Sequence, residues 1–101
     1  MSLANAYAID ESLSYTIQQQ KDKTVKGKVV DSNNEPVIGA SVVIQGTNYG
    51  FITDLDGNFQ FSYPHNAGNT LEVTYVGMEK VTLKIGDKTD FKIRMNDSQR
   101  Y

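Results

Sequence analysis

The segment VKGKVVDSNNEPVIGASVVIQGTNYGFITDLDGNFQFSYP, residues 25–64, contains four short runs in which apolar side chains recur at every second position. In an extended strand, successive side chains point to opposite faces, so this alternation is typical of strands with one buried face. Between the runs lie Gly, Pro, Asn and Asp, which tolerate the tight or left-handed backbone of a chain reversal. The segment therefore predicts β-strands joined by turns, and it shows no helical spacing.

The same pattern continues to residue 95 and predicts seven strands in all. Short strands that recur every 8–12 residues or so, with turns between them, describe an antiparallel sandwich or barrel. The residues expected to face the core are Val25, Gly27 and Val29; Ala40, Val42 and Ile44; Phe51 and Thr53; Phe59, Phe61 and Tyr63; Leu71, Val73 and Tyr75; Val81, Leu83 and Ile85; and Phe91, Ile93 and Met95.

Length and composition indicate one small domain. The chain has 101 residues, of which 39% are hydrophobic and 22% charged, and it contains no cysteine. Disulfides and cysteine-ligated metals therefore cannot stabilise it, and nearly every inward position must be apolar. The net charge of -2 offers no overall basic field for nucleic acid or an anionic membrane. No apolar run approaches the ~20 residues of a membrane-spanning helix.

The beginning of the chain follows a different pattern. Apolar residues alternate from Leu13 to Ile17 as in a strand, but the polar spacer QQQKDK follows. The predicted organisation is an N-terminal tail at 1–23, a β-sandwich at 24–96 and a C-terminal tail at 97–101. The Ala-Tyr-Ala triplet near the start fits a signal-peptide stub or a chance match equally well. The tail strand is expected either to be disordered or to pair with a sheet edge of its own or of a second molecule, as a strand-mediated dimer would require.

The turn TDLDGNF, residues 53–59, is the first candidate for a chemical site because it carries two carboxylates, Asp54 and Asp56. A calcium loop of the EF-hand type, aligned on Gly57, would place apolar or aromatic residues where its two end ligands must be. A glycosidase-like pair would need a cleft, which a tip loop does not supply. A weak ion site stays an alternative, but the favoured interpretation is a turn: Gly57 takes positive φ and Asp54 accepts backbone amides.

His65 and three aromatic residues are the remaining candidates. His65 follows Pro64 in a predicted turn and has no cysteine or second histidine to act with, so a solvated turn residue is the favoured interpretation. Tyr49, Phe51 and Tyr63 could form an aromatic platform for sugar rings. By alternation, Phe51 and Tyr63 are expected to face the core, which leaves Tyr49 as a possible exposed contact. The sequence thus predicts no catalytic residue, no metal ligand and no cofactor.

A set of spaced motif residues runs through the predicted strands and turns. Gly27 and Val29, in the first predicted strand, come before the first of these motif residues. Pro36 stiffens a turn, and Gly39 lets the chain bend into a strand. The motif residues are Pro36, Gly39, Ala40, Val42, Ile44, Gly46, Thr53, Asp54, Gly57, Phe59, Tyr75 and Gly77. In this pattern the chain resembles the carboxypeptidase-regulatory-like domain, a transthyretin-like β-sandwich. It resembles in particular the copy before the plug of SusC/RagA-type TonB-dependent transporters of Bacteroidetes, although Met78 stands where that family has an aromatic residue.

The resemblance implies a seven-stranded antiparallel Greek-key β-sandwich that is not an enzyme. It implies an accessory or docking domain on the periplasmic side of the bacterial outer membrane, within a transporter for glycans or peptides. The partners it implies are proteins, namely the plug and barrel of its own transporter and periplasmic energy-transducing proteins. Nucleic acid is not expected as a partner, and the domain itself is not expected to enter the membrane.

The tail and two other function classes complete the expectations. The segment ESLSYTIQQQKDK resembles the last strand of a secretin/TonB N-terminal domain, which would make the tail the remnant of a preceding domain. One alternative function is an accessory module of a secreted enzyme. The other is a carbohydrate-binding or adhesive surface module that acts through Tyr49.

Overall fold

Seven β-strands make up the part of the chain that the computed structural model describes, residues 22–98. Each strand coincides with one of the predicted apolar runs, whereas the predicted strand from Leu13 to Ile17 lies outside the described residues. No helix occurs in the described part, so it contains none that is long and apolar enough to cross a membrane. In chain order the strands are β1 (Asp22–Val30), β2 (Ser41–Ile44), β3 (Gly50–Ile52), β4 (Asn58–Pro64), β5 (Thr70–Thr74), β6 (Val81–Lys84) and β7 (Asp90–Arg94).

The strands form two sheets, and the core lies between them. One sheet has three strands in the order β4-β1-β7, and the other has four in the order β3-β2-β5-β6. All pairs within the four-stranded sheet are antiparallel, and so is the β1–β4 pair. The predicted all-β sandwich of seven strands is therefore confirmed.

The β1–β7 pair corrects the prediction that every strand pair is antiparallel. These two strands run parallel, with Gly27 opposite Phe91 and Val29 opposite Ile93. A parallel pair cannot be joined by a tight turn and needs a long crossover. The chain supplies one, because strands β2 to β6 lie between β1 and β7. Alternation in a sequence shows which side chains face inward, but it carries no information on the direction of the neighbouring strand.

The core consists of alternate residues from both sheets, as the apolar pattern predicted. Tyr63 is only 2% exposed, and desolvation by this burial raises the pKa of its phenol above the usual value. The buried apolar residues of the core cluster are Val25, Val29, Val37, Ala40, Val42, Ile44, Phe59, Tyr63, Leu71, Val73, Ile85, Phe91, Ile93 and Met95.

Phe51 and Tyr75 depart from the prediction that they are core residues, since they are 46% and 36% exposed. Phe51 lies opposite the buried Val42, so its register is the inward one. It belongs, however, to the outermost strand of its sheet, which is only three residues long. Tyr75 lies just beyond Thr74, the last residue of β5. Alternation predicts the face of the sheet on which a side chain lies. The side chain is buried only if other residues cover that face.

Candidate functional site

The loops at one end of the sandwich bring together most of the motif residues. Loops 31–40, 53–57 and 75–80 meet there: the Gly39 amide donates to the Thr53 carbonyl at 3.0 Å, and Tyr75 lines a shared groove with Pro36. We name this surface, formed by the three loops, the motif end. The motif residues within it are Pro36, Gly39, Ala40, Thr53, Asp54, Gly57, Tyr75 and Gly77, whereas Val42, Ile44 and Phe59 lie in strands and Gly46 follows β2.

Thr53 joins two of these loops through a buried hydroxyl. The side chain is 3% exposed, and its Oγ1 accepts the amide of Ala40 at 2.8 Å and donates to the carbonyl of Val37 at 2.6 Å. The backbone of Thr53 bonds the same loop, because its amide donates to the Ala40 carbonyl at 2.9 Å. One oxygen atom accepts one hydrogen bond and donates the other, which is the chemistry of a hydroxyl such as that of threonine.

Thr53→Val is expected to lower the free energy of unfolding by about 2–3 kcal/mol, because it leaves a buried donor and a buried acceptor without partners at nearly unchanged volume. The matched control is Thr47→Val. Its hydroxyl also makes two backbone hydrogen bonds, to Ile44 at 2.8 Å and from Tyr49 at 3.0 Å, but at a more exposed site. Water can replace those bonds, so chemical denaturation should show a smaller loss. Equal losses in the two variants would contradict the role of burial.

Asp54 and Asp31 organise two loops with the same hydrogen-bond scheme. The Oδ1 of Asp54 accepts the amides of Asp56 and Asn58, each at 2.9 Å. The Oδ1 of Asp31 accepts two amides at the same spacing, at 2.8 and 3.0 Å. In both loops the carboxylate stabilises a turn. Among residues 22–98, no group of three or more His, Asp or Glu side chains is arranged to hold a metal ion.

The motif end also exposes apolar side chains. Leu55 and Val76 are 77% and 86% exposed in loops 53–57 and 75–80, and Ile38 is half exposed in loop 31–40. A small groove there is lined by Asp31, Pro36, Val37, Ile38, Tyr75 and Met78. An apolar surface of this kind suits contact with another macromolecule.

The other candidates from the sequence lie elsewhere. Tyr49 is 46% exposed in the loop after β2, and His65 is exposed in the loop after β4. Because Tyr63 is buried, it does not join Tyr49 in an exposed aromatic platform. The contact role of Tyr49 stays a prediction.

The outward surface of the three-stranded sheet carries a feature that the sequence analysis missed. Lys26 and Lys28 of β1, together with Lys92 and Arg94 of β7, are exposed and alternate with inward positions of their strands. We name the outward surface that carries these four cations the basic face. In the sequence, most of the residues that alternate with the apolar ones in the first and last predicted strands are lysine or arginine. Only the pairing of β1 with β7 makes them neighbours, and the net charge of -2 conceals them.

Comparison with known sequences adds a family match and two relatives. A family model described as the CarboxypepD_reg-like domain matches residues 25–100. The TonB-dependent receptor SusC of Bacteroides thetaiotaomicron is 48% identical over 62 residues, which are 61% of this chain and 6% of the receptor. The TonB-dependent receptor P3 of Formosa agariphila is 26% identical over 80 residues, 78% of this chain and 8% of that receptor. The chain thus spans only a small part of the length of both receptors.

Among solved structures, one chain of a type II cohesin–X-dockerin complex from Acetivibrio cellulolyticus has a similar fold. The TM-score is 0.54 at 19% sequence identity, and the match covers 72% of this chain and 56% of that chain. At this level of identity, the likeness shows the β-sandwich fold alone.

Proposed function

The chain belongs to the CarboxypepD_reg-like domain family, and on that premise we propose that it is a non-catalytic accessory domain of a TonB-dependent outer-membrane transporter. It acts on the periplasmic side of the outer membrane as a docking element for protein partners. The observation that carries this proposal is the alignment with a segment of the receptor SusC.

The described residues support a role in contact rather than in catalysis. Asp54 stabilises a turn through two backbone amides, and His65 lies in a different loop, after β4. The apolar core cluster fills the space between the sheets. We therefore assign binding to an outer surface of the sandwich.

The motif end is the surface that we assign to the plug of the same transporter. The segment after β7 is tied to this end, because the Glu79 amide donates to the Asn96 carbonyl at 2.8 Å and the Ser98 amide to the Gly77 carbonyl at 3.0 Å. Ser98 thus lies beside the loop that carries the exposed Val76. Contacts within one chain need no diffusional encounter, so a modest apolar surface is sufficient.

Deleting residues 25–95 in frame from the parent gene is expected to impair growth on the transported nutrient, through reduced assembly or reduced energised transport. The measurements are the abundance of the barrel in the outer membrane and growth on several single nutrients. The proposal is wrong if barrel abundance, and uptake as measured by growth, both stay at the level of the unmodified gene on every nutrient tested. It is also wrong if the parent gene encodes no barrel.

A finer variant tests the assigned surface without removing the domain. Leu55→Ser with Val76→Ser changes two highly exposed side chains, so folding should persist while growth falls. The matched control is Tyr49→Ser, which removes an exposed aromatic residue outside the motif end. Loss of growth with Tyr49→Ser alone would favour the adhesive or carbohydrate-binding alternative instead.

A further inference from the structure

The basic face concentrates positive charge on a protein whose net charge is negative. Its cations Lys26, Lys28, Lys92 and Arg94 share the surface with two carboxylates, those of Asp22 and Asp90, at the start of β1 and β7. The other outward residues that are exposed are polar and uncharged: Thr24, Asn58, Gln60 and Ser62. The exposed side chains of this surface are therefore polar, and most of the charged ones are cationic.

The three lysines of this face form no close ion pair within the described chain. Lys80 and Glu72 form an ion pair at 3.2 Å on the other sheet, but Lys26, Lys28 and Lys92 form none with any residue from 22 to 98. Arg94 donates only to backbone carbonyls, the closer being that of Ser32 at 3.1 Å. The positive charge is thus available to a partner.

Lys28 and Lys92 also occupy directly opposite positions of the parallel β1–β7 pair. Like charges at directly opposite positions destabilise a sheet, and an opposite charge at either position would favour pairing. The neighbouring pair has that favourable arrangement, because Lys26 lies opposite Asp90. Local departures from the rules of stable folding are expected at functional or strained sites.

A second observation points to the same surface. An open groove of about 780 Å³ lies along this face, and its walls include three cations, Lys26, Lys28 and Lys92, and two carboxylates, those of Asp54 and Asp90. Phe51 also lines this groove, and its ring is 46% exposed although its register is the inward one. An exposed aromatic ring beside a charged surface is the composition of an interface anchor.

We propose that the basic face binds an extended acidic polypeptide segment of a partner protein, with an apolar side chain of that segment against Phe51. Alternate side chains of an extended chain repeat every ~6.7 Å. Lys26 and Lys28 repeat at this same interval along β1, so acidic residues at alternate positions of the segment meet successive cations. The uncharged residues of the face supply hydrogen-bond partners between them.

The basic face is a second contact surface of the proposed docking domain. The inference rests on the proposed function only for where the partner protein is found, on the periplasmic side of the outer membrane. The test uses the purified 101-residue chain and no transporter. Failure of peptide binding would therefore leave the growth experiment standing, and failure of the growth experiment would leave the binding result standing.

The experiment is an NMR titration of the isotope-labelled chain with a short synthetic peptide that carries Glu at alternate positions and one Phe. We expect the largest shifts at residues 26, 28, 51 and 92, and weaker binding as salt is added. Replacing Lys28 and Lys92 with Glu should weaken binding about tenfold or more. As a matched pair, Lys28→Glu alone should still weaken binding, whereas Lys84→Glu on β6 of the other sheet changes the net charge by the same amount and should keep the affinity within about twofold.

Three results would overturn the proposal. One is equal binding of the same peptide with Gln in place of Glu, which would remove the role of charge. Another is tighter binding of dextran sulfate or of phosphatidylglycerol vesicles than of the peptide, which would assign the face to a polysaccharide or a membrane. The last is the absence of shifts on the basic face at millimolar peptide.

Discussion

Phe59→Ala is expected to lower the free energy of unfolding by about 3–5 kcal/mol, a large share of the stability of a small domain. The Phe59 side chain is 3% exposed and lies opposite Gly27 in the β1–β4 register. Its Cζ atom would be only 2.8 Å from a Cβ built on Gly27. The ring therefore fills the space that the glycine leaves open, and its removal creates a cavity at the middle of the three-stranded sheet. The midpoint of chemical denaturation measures the effect.

Phe61→Ala is the control for this prediction. Phe61 lies two residues further along the same strand, and its ring centroid is 6.4 Å from that of Phe59. It is only partly buried, so its truncation should cost about 1–2 kcal/mol. Equal losses for the two variants, or an unchanged midpoint for Phe59→Ala, would contradict the packing described for the core.

Gly57→Ala is expected to lower the free energy of unfolding by about 2–4 kcal/mol, through two effects that add. The φ angle of Gly57 is 79°, a left-handed conformation that an L side chain disfavours. A Cβ at this position would also lie 2.6 Å from the carbonyl oxygen of Val29 and 3.0 Å from the Cβ of Pro36. Relief of that clash would weaken the hydrogen bond from the Val29 amide to the Gly57 carbonyl, which is now 2.9 Å long.

The Asp31 loop provides a matched control for the backbone effect. Asn34 occupies the position equivalent to Gly57, with a φ angle of 69°, and its side chain already includes a Cβ. Asn34→Ala should therefore cost only about 1 kcal/mol, from the left-handed backbone alone. The difference between the two variants measures the contact with Val29 and Pro36. If both variants lose the same stability, that contact plays no part.

The motif residues show how a linear pattern becomes a surface. In the sequence they are spread from Pro36 to Gly77, and the physical roles of Gly57 and Asp54 could be predicted because positive φ and turn capping are local properties. The joint role of Thr53 could not be predicted in this way. Its hydroxyl bonds Val37 and Ala40, which are brought to it by the folding of a different loop.

The sequence by itself determined the seven strands and the inward side of each, because period-two alternation and turn residues act over a few neighbouring positions. Tertiary structure decided what depends on distant parts of the chain. The parallel β1–β7 pairing brings Lys28 beside Lys92, and the edge position of β3 leaves Phe51 half exposed. Alternation specifies a face but neither the neighbour across the sheet nor its direction. For that reason the basic face, built from strands at opposite ends of the chain, is visible only in the folded protein.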